Sequence, residues 1–285
     1  MALKCGIVGL PNVGKSSLFN CLSKAKAQSA NFPFCTIEPN IGVITVPDER
    51  LEKLAELVNP EKVQATTIEI VDIAGLVKGA SIGEGLGNKF LANIRECNAI
   101  IHVLRCFDDD NIVHVDGNIN PIRDKETIDF ELQLKDLETI EKKREKNQKI
   151  AKSGEKEAVK IVGLLDKYID HLQKGESVRS LEVTDTEKEV ISDLHLLTDK
   201  PVLYVCNVDE SSAKDGNKYV QQVKEVVKTE DAEILLIATS IEAEIAELDD
   251  LEEQALFLSE MGLEEPGVHH LIQATYRLLN LQTYF

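Results

Sequence analysis

An α/β fold with a mostly parallel sheet and an inserted helical hairpin is what the sequence predicts, on three observations. Short β-branched runs alternate with helical patterns along most of the chain. The alternation stops between about Thr127 and Thr198, where charged residues dominate. The first apolar run passes directly into a glycine loop and then into a helical pattern.

The strands are expected at Leu3–Val8, Ile41–Val46, Thr67–Val71, Ala99–Leu104, Val202–Val205 and Glu233–Ile237. Strands that alternate with helices read as a parallel sheet covered on both faces. In the interrupted region, apolar residues recur at three- and four-residue intervals: Phe130, Leu134 and Leu137, then Val162, Leu165, Ile169 and Leu172. That spacing puts one apolar stripe on each of two long helices, with Lys152-Ser153-Gly154 as the turn of an antiparallel coiled-coil hairpin. The expected division is therefore a nucleotide-type domain over 1–126 and 199–279, and an inserted helical domain over 127–198.

Composition excludes several classes of function. The 285 residues carry 50 acidic and 32 basic side chains, a formal charge of −18, so a broad nucleic-acid-binding face is not expected. Only a local basic patch would serve, and the polar stretch Glu141 to Lys149 reads as a solvated helix face or as a local contact surface for RNA or a partner. With 43% hydrophobic residues the chain has the makings of a large core. No stretch of about 18 apolar residues offers a membrane span, and the expectation is a cytoplasmic protein. Six scattered cysteines, Cys5, Cys21, Cys35, Cys97, Cys106 and Cys206, lack metal-ligand spacing and read as small buried apolar residues.

Gly9 to Ser16 follows the first strand and fits GxxxxGK[ST], with the helical pattern Ser17 to Leu22 after it. Glycines let such a loop curl so that successive N–H groups face an anion, and the next helix turns its positive end toward it. Asn12, Val13, Gly14, Lys15, Ser16 and Ser17 are the expected nucleotide contacts, with Lys15 reaching the β- and γ-phosphates and Ser16 ligating Mg²⁺. Asp72 and Gly75, at DxxG spacing after the third strand, supply a metal-supporting carboxylate and a γ-phosphate contact. Thr36 is the best candidate for a threonine closing over Mg²⁺, with Thr66 and Thr67 as alternatives that spacing alone leaves open.

Base recognition departs from the guanine-reading pattern Asn-Lys-x-Asp. Here the strand Val202 to Cys206 is followed by Asn207-Val208-Asp209-Glu210, so Glu210 stands one methylene longer where Asp belongs. ATP becomes at least as good a substrate as GTP, while a slipped reading with Asp209 against the base keeps GTP open. Ser240, after the strand Glu233 to Ile237, lies where a backbone loop would meet the base. The residue after DxxG is Leu76, which cannot orient a water as glutamine does in Ras-like enzymes. His114, in a loop beyond the fourth strand, is proposed as the catalytic group that places the water; the alternative is an exposed loop histidine. His102, inside an apolar strand, reads as a core residue.

Gly-Leu-Pro-Asn-Val-Gly-Lys-Ser-Ser at 9–17, Asp-Ile-Ala-Gly-Leu-Val-Lys-Gly-Ala at 72–80, His-Val-Leu-Arg-Cys-Phe-Asp-Asp-Asp at 102–110 and Asn-Val-Asp-Glu at 207–210 together resemble the YchF type of Obg-like ATPases. The resemblance spans nearly the whole chain. It implies a Ras-like P-loop domain with an inserted coiled coil, ATP preferred over GTP, Mg²⁺ dependence and association with the ribosome or its large subunit. It also implies a small C-terminal TGS domain, which would begin at about residues 280–285, where this chain stops. The rival readings are a GTP-dependent ribosome-associated switch and a nucleotide-binding scaffold that presents its hairpin without useful hydrolysis. A metabolite kinase is disfavoured, since no arginine-rich lid segment is present.

Overall fold

The computed structural model describes residues 3–29, 41–73, 86–230, 232–248 and 250–282. In chain order the elements are β1 (Leu3–Val8), α1 (Lys15–Ser29), β2 (Ile41–Thr45), α2 (Glu49–Val58), β3 (Thr67–Asp72), α3 (Leu86–Glu96), β4 (Ala99–Arg105), α4 (Pro121–Ala151), α5 (Lys156–Gln173), α6 (Asp185–Ile191), β5 (Val202–Asn207), α7 (Lys218–Val227), β6 (Glu233–Ile237), α8 (Thr239–Ile245), α9 (Leu251–Glu260) and α10 (Gly267–Leu278). The chain divides into two compact units.

The first unit comprises Met1–Gly75, Cys97–Asp124 and Pro201–Phe285. It holds one six-stranded sheet of order β2-β3-β1-β4-β5-β6, parallel throughout except where β2 runs antiparallel to β3. The expected mostly parallel sheet is therefore present, with all six strands where the apolar runs put them. Every residue of β4 and β5 is buried, which is why those strands read as continuous apolar runs rather than as alternations. Edge strand β2 alternates instead, burying Gly42 and Ile44 between half-exposed neighbours. Cys5, Cys21, Cys97, Cys106 and Cys206 are buried thiols outside any disulfide, and burial pushes Cys5 up to about 12. Cys35 lies outside the described residues. His102 is a core residue, as read, with its ring 5.6 Å from that of Tyr204.

The second unit comprises Leu76–Glu96 and Lys125–Lys200. Its hairpin partners are α4 and α5, joined at the expected turn, where Gly154 takes a φ of +85° with open space where a Cβ would stand. They run antiparallel: Gln133 donates to the carbonyl of Gly175 at the base of the hairpin, and Arg144 pairs with Asp166 further up. Ile140, Leu165, Tyr168, Leu172, Val178, Ile191 and Leu196 form the core beneath them. Unit 2 also takes in α3, whose Arg95 reaches the hydroxyl of Thr139 at 3.3 Å and accepts Lys200 on its carbonyl at 3.1 Å.

On α4 the stripe read from the sequence is only partly in phase, since Leu137 packs against the hairpin core while Phe130 does not. Phe130 is 55% exposed and Leu134 and Leu137 are half-buried, whereas Ile128, Leu132, Asp136 and Ile140 form the buried row. The cause is Asp136, a carboxylate sitting in the middle of that row, which hides it from an apolar-periodicity reading. Asp136 accepts from Leu197 N at 2.8 Å and from the amide and hydroxyl of Thr198, both at 2.7 Å. Burial pushes its carboxyl above the usual range, and these hydrogen bonds pull back against that.

Candidate functional site

In the first unit β1 stands between β3 and β4, so successive connections leave it in opposite directions. That makes the carboxyl end of β1 a topological switch point, where α/β sheets open a crevice. The loop from Gly9 to Gly14 fills that position. Two glycines are required by geometry. A Cβ on Gly9 would lie 2.5 Å from the carbonyl oxygen of Val103, and one on Gly14, where φ is +100°, would lie 2.2 Å from Asn207 Nδ2. Asn12 adds a left-handed turn at φ +62°. The result is a tight curl that ends on the first turn of α1.

Lys15 opens α1 and is 7% exposed, its ammonium donating to the carbonyl of Leu10 at 2.6 Å. It therefore clasps its own loop across the space a phosphate would fill. Burial lowers its pKa to about 8, while Asp72 pulls in the opposite direction. Above pH 8 the free protein then holds Lys15 largely neutral, and a bound polyphosphate must bring the proton back. Calorimetry at pH 8.5–9 in two buffers of different ionisation enthalpy is expected to show uptake of a fraction of a proton per nucleotide, falling toward zero near pH 7.

Ser16 donates to Asp72 Oδ2 at 3.3 Å. The meeting follows from register: Asp72 ends β3 opposite Ile7 of β1, and Ile73 N reaches the Ile7 carbonyl at 3.3 Å. Asp72 Oδ1 is buried and has no hydrogen-bond partner among the described residues. A hydroxyl and a carboxylate with an unsatisfied buried oxygen are the hard donor set that Mg²⁺ prefers, so these residues fit the metal the motif implies. Thr67 starts β3 at the far end from Asp72, about 16 Å away along the strand, so it and the preceding Thr66 are excluded as ligands beside Ser16. Thr36 and Gly75 lie outside the described residues.

A second wall comes from the ends of β5 and β6. Asn207 is 2% exposed, donating to the carbonyl of Val13 at 3.0 Å and accepting from Thr239 N at 3.1 Å. Its amide thus ties the phosphate loop to the start of α8, behind the site rather than facing into it. Val208 is buried as well, its N–H donating to Ile237 O at 3.0 Å. Glu210 and Ser240 are exposed. Asp209 is spent locally, accepting from the amide and hydroxyl of Ser212 and from the hydroxyl of Ser211. Burial alone would raise its carboxyl, but those hydrogen bonds outweigh it and hold the carboxyl below the usual range.

The third wall is the loop after β4. Arg105, 1% exposed, donates to the carbonyls of Phe107, Asp109 and Ile112 at 3.2, 3.0 and 2.8 Å and so shapes the loop from within. The loop is pinned to the phosphate loop where Asn12 Nδ2 donates to Val113 O at 3.1 Å. His114 follows, and it is buried, not an exposed loop histidine. Its Nδ1 accepts from Asp116 N at 3.1 Å, which leaves the proton on Nε2, 2.8 Å from Asp124 Oδ2. Arg123 holds the other oxygen of Asp124 at 3.1 Å. Sequence reading did not single out Arg105, Asp124 or the buried side of Asn207. The signal for Arg105 was a charged residue closing a strand that is apolar but for His102; nothing in the sequence pointed to Asp124.

A phosphate cradle at the switch point of a sheet of this order, with its lysine folded inward and a serine against the aspartate of the neighbouring strand, defines a P-loop nucleoside triphosphatase. The family described as "50S ribosome-binding GTPase" matches residues 4–148. Relatives described as "Ribosome-binding ATPase YchF" are 52% identical in Bacillus subtilis (strain 168) and 53% identical in Escherichia coli O157:H7, each match covering the whole of this chain and 78% of the relative. The solved structure of the Schizosaccharomyces pombe YchF GTPase superposes with a TM-score of 0.86 at 35% identity, over 98% of this chain and 76% of that one. The chain belongs to the YchF family.

Proposed function

We propose that this chain is an ATP-hydrolysing, Mg²⁺-dependent switch of the cytoplasm that acts on the ribosome. The observation that carries the reading is the Ser16–Asp72 pair, whose carboxylate keeps one buried oxygen without a partner among the described residues, set beside Lys15 at the mouth of the loop. ATP entering the cradle draws Lys15 from the Leu10 carbonyl onto the β- and γ-phosphates, while the amides of Asn12 to Ser17 face the anion. Ser16 and Asp72 would hold Mg²⁺, which neutralises charge on the phosphates. Thr36 and Gly75 are assigned the γ-phosphate-sensing role by the family pattern, so that hydrolysis releases both segments.

The bacterial relatives are described as ATPases and the yeast one as a GTPase. The geometry favours adenine for this chain: Asp209, the group that would have to read guanine in a slipped register, is tied to Ser211 and Ser212. Glu210 and Ser240 are the exposed residues left to border the base, with Asn207 and Val208 supporting them from behind.

His114 supplies what Leu76 cannot. Asp124 fixes its tautomer, and release of Nδ1 from Asp116 N would leave an acceptor for the attacking water. His114→Ala is expected to lower single-turnover hydrolysis by about 10²-fold with ATP affinity within a factor of three, since acid–base positioning of this kind is worth about 10²–10⁴. An unchanged rate removes His114 from the mechanism. Turnover measured with and without purified ribosomes tests the partner: stimulation is expected, and a rate indifferent to ribosomes favours the scaffold reading.

A further inference from the structure

The tip of the hairpin carries the opposite charge to the chain as a whole. Residues 141–160 carry eight basic and four acidic side chains, +4, while the other 265 residues carry −22. Lower on the hairpin the basic residues are neutralised within the unit: Lys135 and Lys142 pair with Glu138, Lys143 with Asp193 and Arg144 with Asp166. Beyond Arg144 this stops. Lys146, Lys149, Lys152 and Lys156 are exposed and have no ion pair among the described residues, and Lys160 has only a 3.8 Å approach to the exposed Glu157. The core stops there too. Ile140 is the last residue of α4 in the hairpin core, and above it Ile150 and Val159 are each about half exposed.

We infer that this tip is a contact surface for the phosphate backbone of RNA, an inference that rests on the ribosome reading for its setting. Four exposed ammonium groups without an ion pair among the described residues are hydrated point charges of the kind that contacts phosphate. The stretch contains no aromatic residue to stack on a base and no free arginine for bidentate base readout, so the contact is to backbone and not to sequence. Placement removes the obstacle of the acidic chain. Lys152 lies twelve residues past Ile140, about 18 Å along the helix, and charge is screened over about 8–10 Å at physiological salt. A negatively charged protein can therefore touch a polyanion here without presenting a broad basic face.

The test compares the 285-residue chain with Lys146→Gln/Lys149→Gln/Lys152→Gln/Lys156→Gln, and with a control that removes the same charge at the exposed Lys53, Lys188, Lys214 and Lys224. Binding to purified ribosomes by sedimentation, and to a short RNA duplex by fluorescence anisotropy, is followed from 50 to 300 mM KCl. The tip variant is expected to bind both about 10²-fold more weakly at 0.1 M salt, with the slope of log affinity against log salt reduced by about 3, at roughly 0.7–0.9 per lost phosphate contact. The control and the basal ATPase rate stay as in the parent. Equal binding by parent and tip variant overturns the inference and leaves the ribosome reading standing. Weaker ribosome binding with an unchanged salt slope and no effect on the duplex also overturns it, in favour of a protein contact. A parent that binds duplex RNA through these lysines but ignores ribosomes supports the inference and rejects the ribosome reading.

Discussion

Gly14→Ala is expected to abolish measurable nucleotide binding and to destabilise the first unit by about 3–8 kcal/mol. The new Cβ would stand 2.2 Å from Asn207 Nδ2, where no relaxed contact exists, and φ at Gly14 is +100°. Expelling the Asn207 amide leaves the Val13 carbonyl and the Thr239 N–H without their buried partner. Each such orphan costs about 1–3 kcal/mol, and the left-handed backbone adds about 1–2 kcal/mol for a residue with a side chain. Asn207→Ala makes the same loss without the clash, and is expected to cost about 2–6 kcal/mol by chemical denaturation. If both variants retain parental stability, the Asn207 bridge is not what shapes the loop.

Lys15→Ala is expected to lower turnover of ATP by about 10²–10³-fold, the usual cost of removing one preorganised donor from a developing charge. The fold should not suffer. Lys15 sits buried against its own loop with a pKa lowered to about 8, so its charge is held at a cost that the variant removes. Stability at pH 7 is therefore expected to hold or rise while activity falls. The linkage has a definite sign. A lysine whose folded pKa lies below its unfolded one binds fewer protons in the native state, so the parent gains stability from about pH 8 upward to about 10.5, and Lys15→Ala loses that rise. Denaturation midpoints of the two proteins at pH 7 and pH 9.5 read it directly.

The strand–loop–helix of the P-loop and Asp72 at the end of its neighbour were readable because local spacing encodes them, and the sheet order then brings Ser16 to 3.3 Å from Asp72. The strands were legible for a similar reason: β4 and β5 are buried throughout, and apart from His102 and Tyr204 their residues are apolar until Arg105 and Asn207 end them. What could not be read is side-chain traffic between distant segments. Asn207 carries the motif position expected at the base, yet its amide is turned onto Val13, 194 residues earlier in the chain. His114 was legible as a titratable group in the right loop, but its burial against Asp124 depends on where α4 begins, which no local pattern announces. The phase error on α4 has the same origin, because Asp136 is buried only by virtue of amides at 197 and 198.

The phosphate cradle and the base wall meet in one quantity, the difference in affinity between ATP and GTP. Calorimetric titration of each nucleotide with Mg²⁺ into the purified chain should give one ATP bound per chain and a GTP dissociation constant at least about tenfold higher, a gap of about 1.4 kcal/mol. Equal or tighter binding of GTP, or no saturable heat with either nucleotide, would contradict the account.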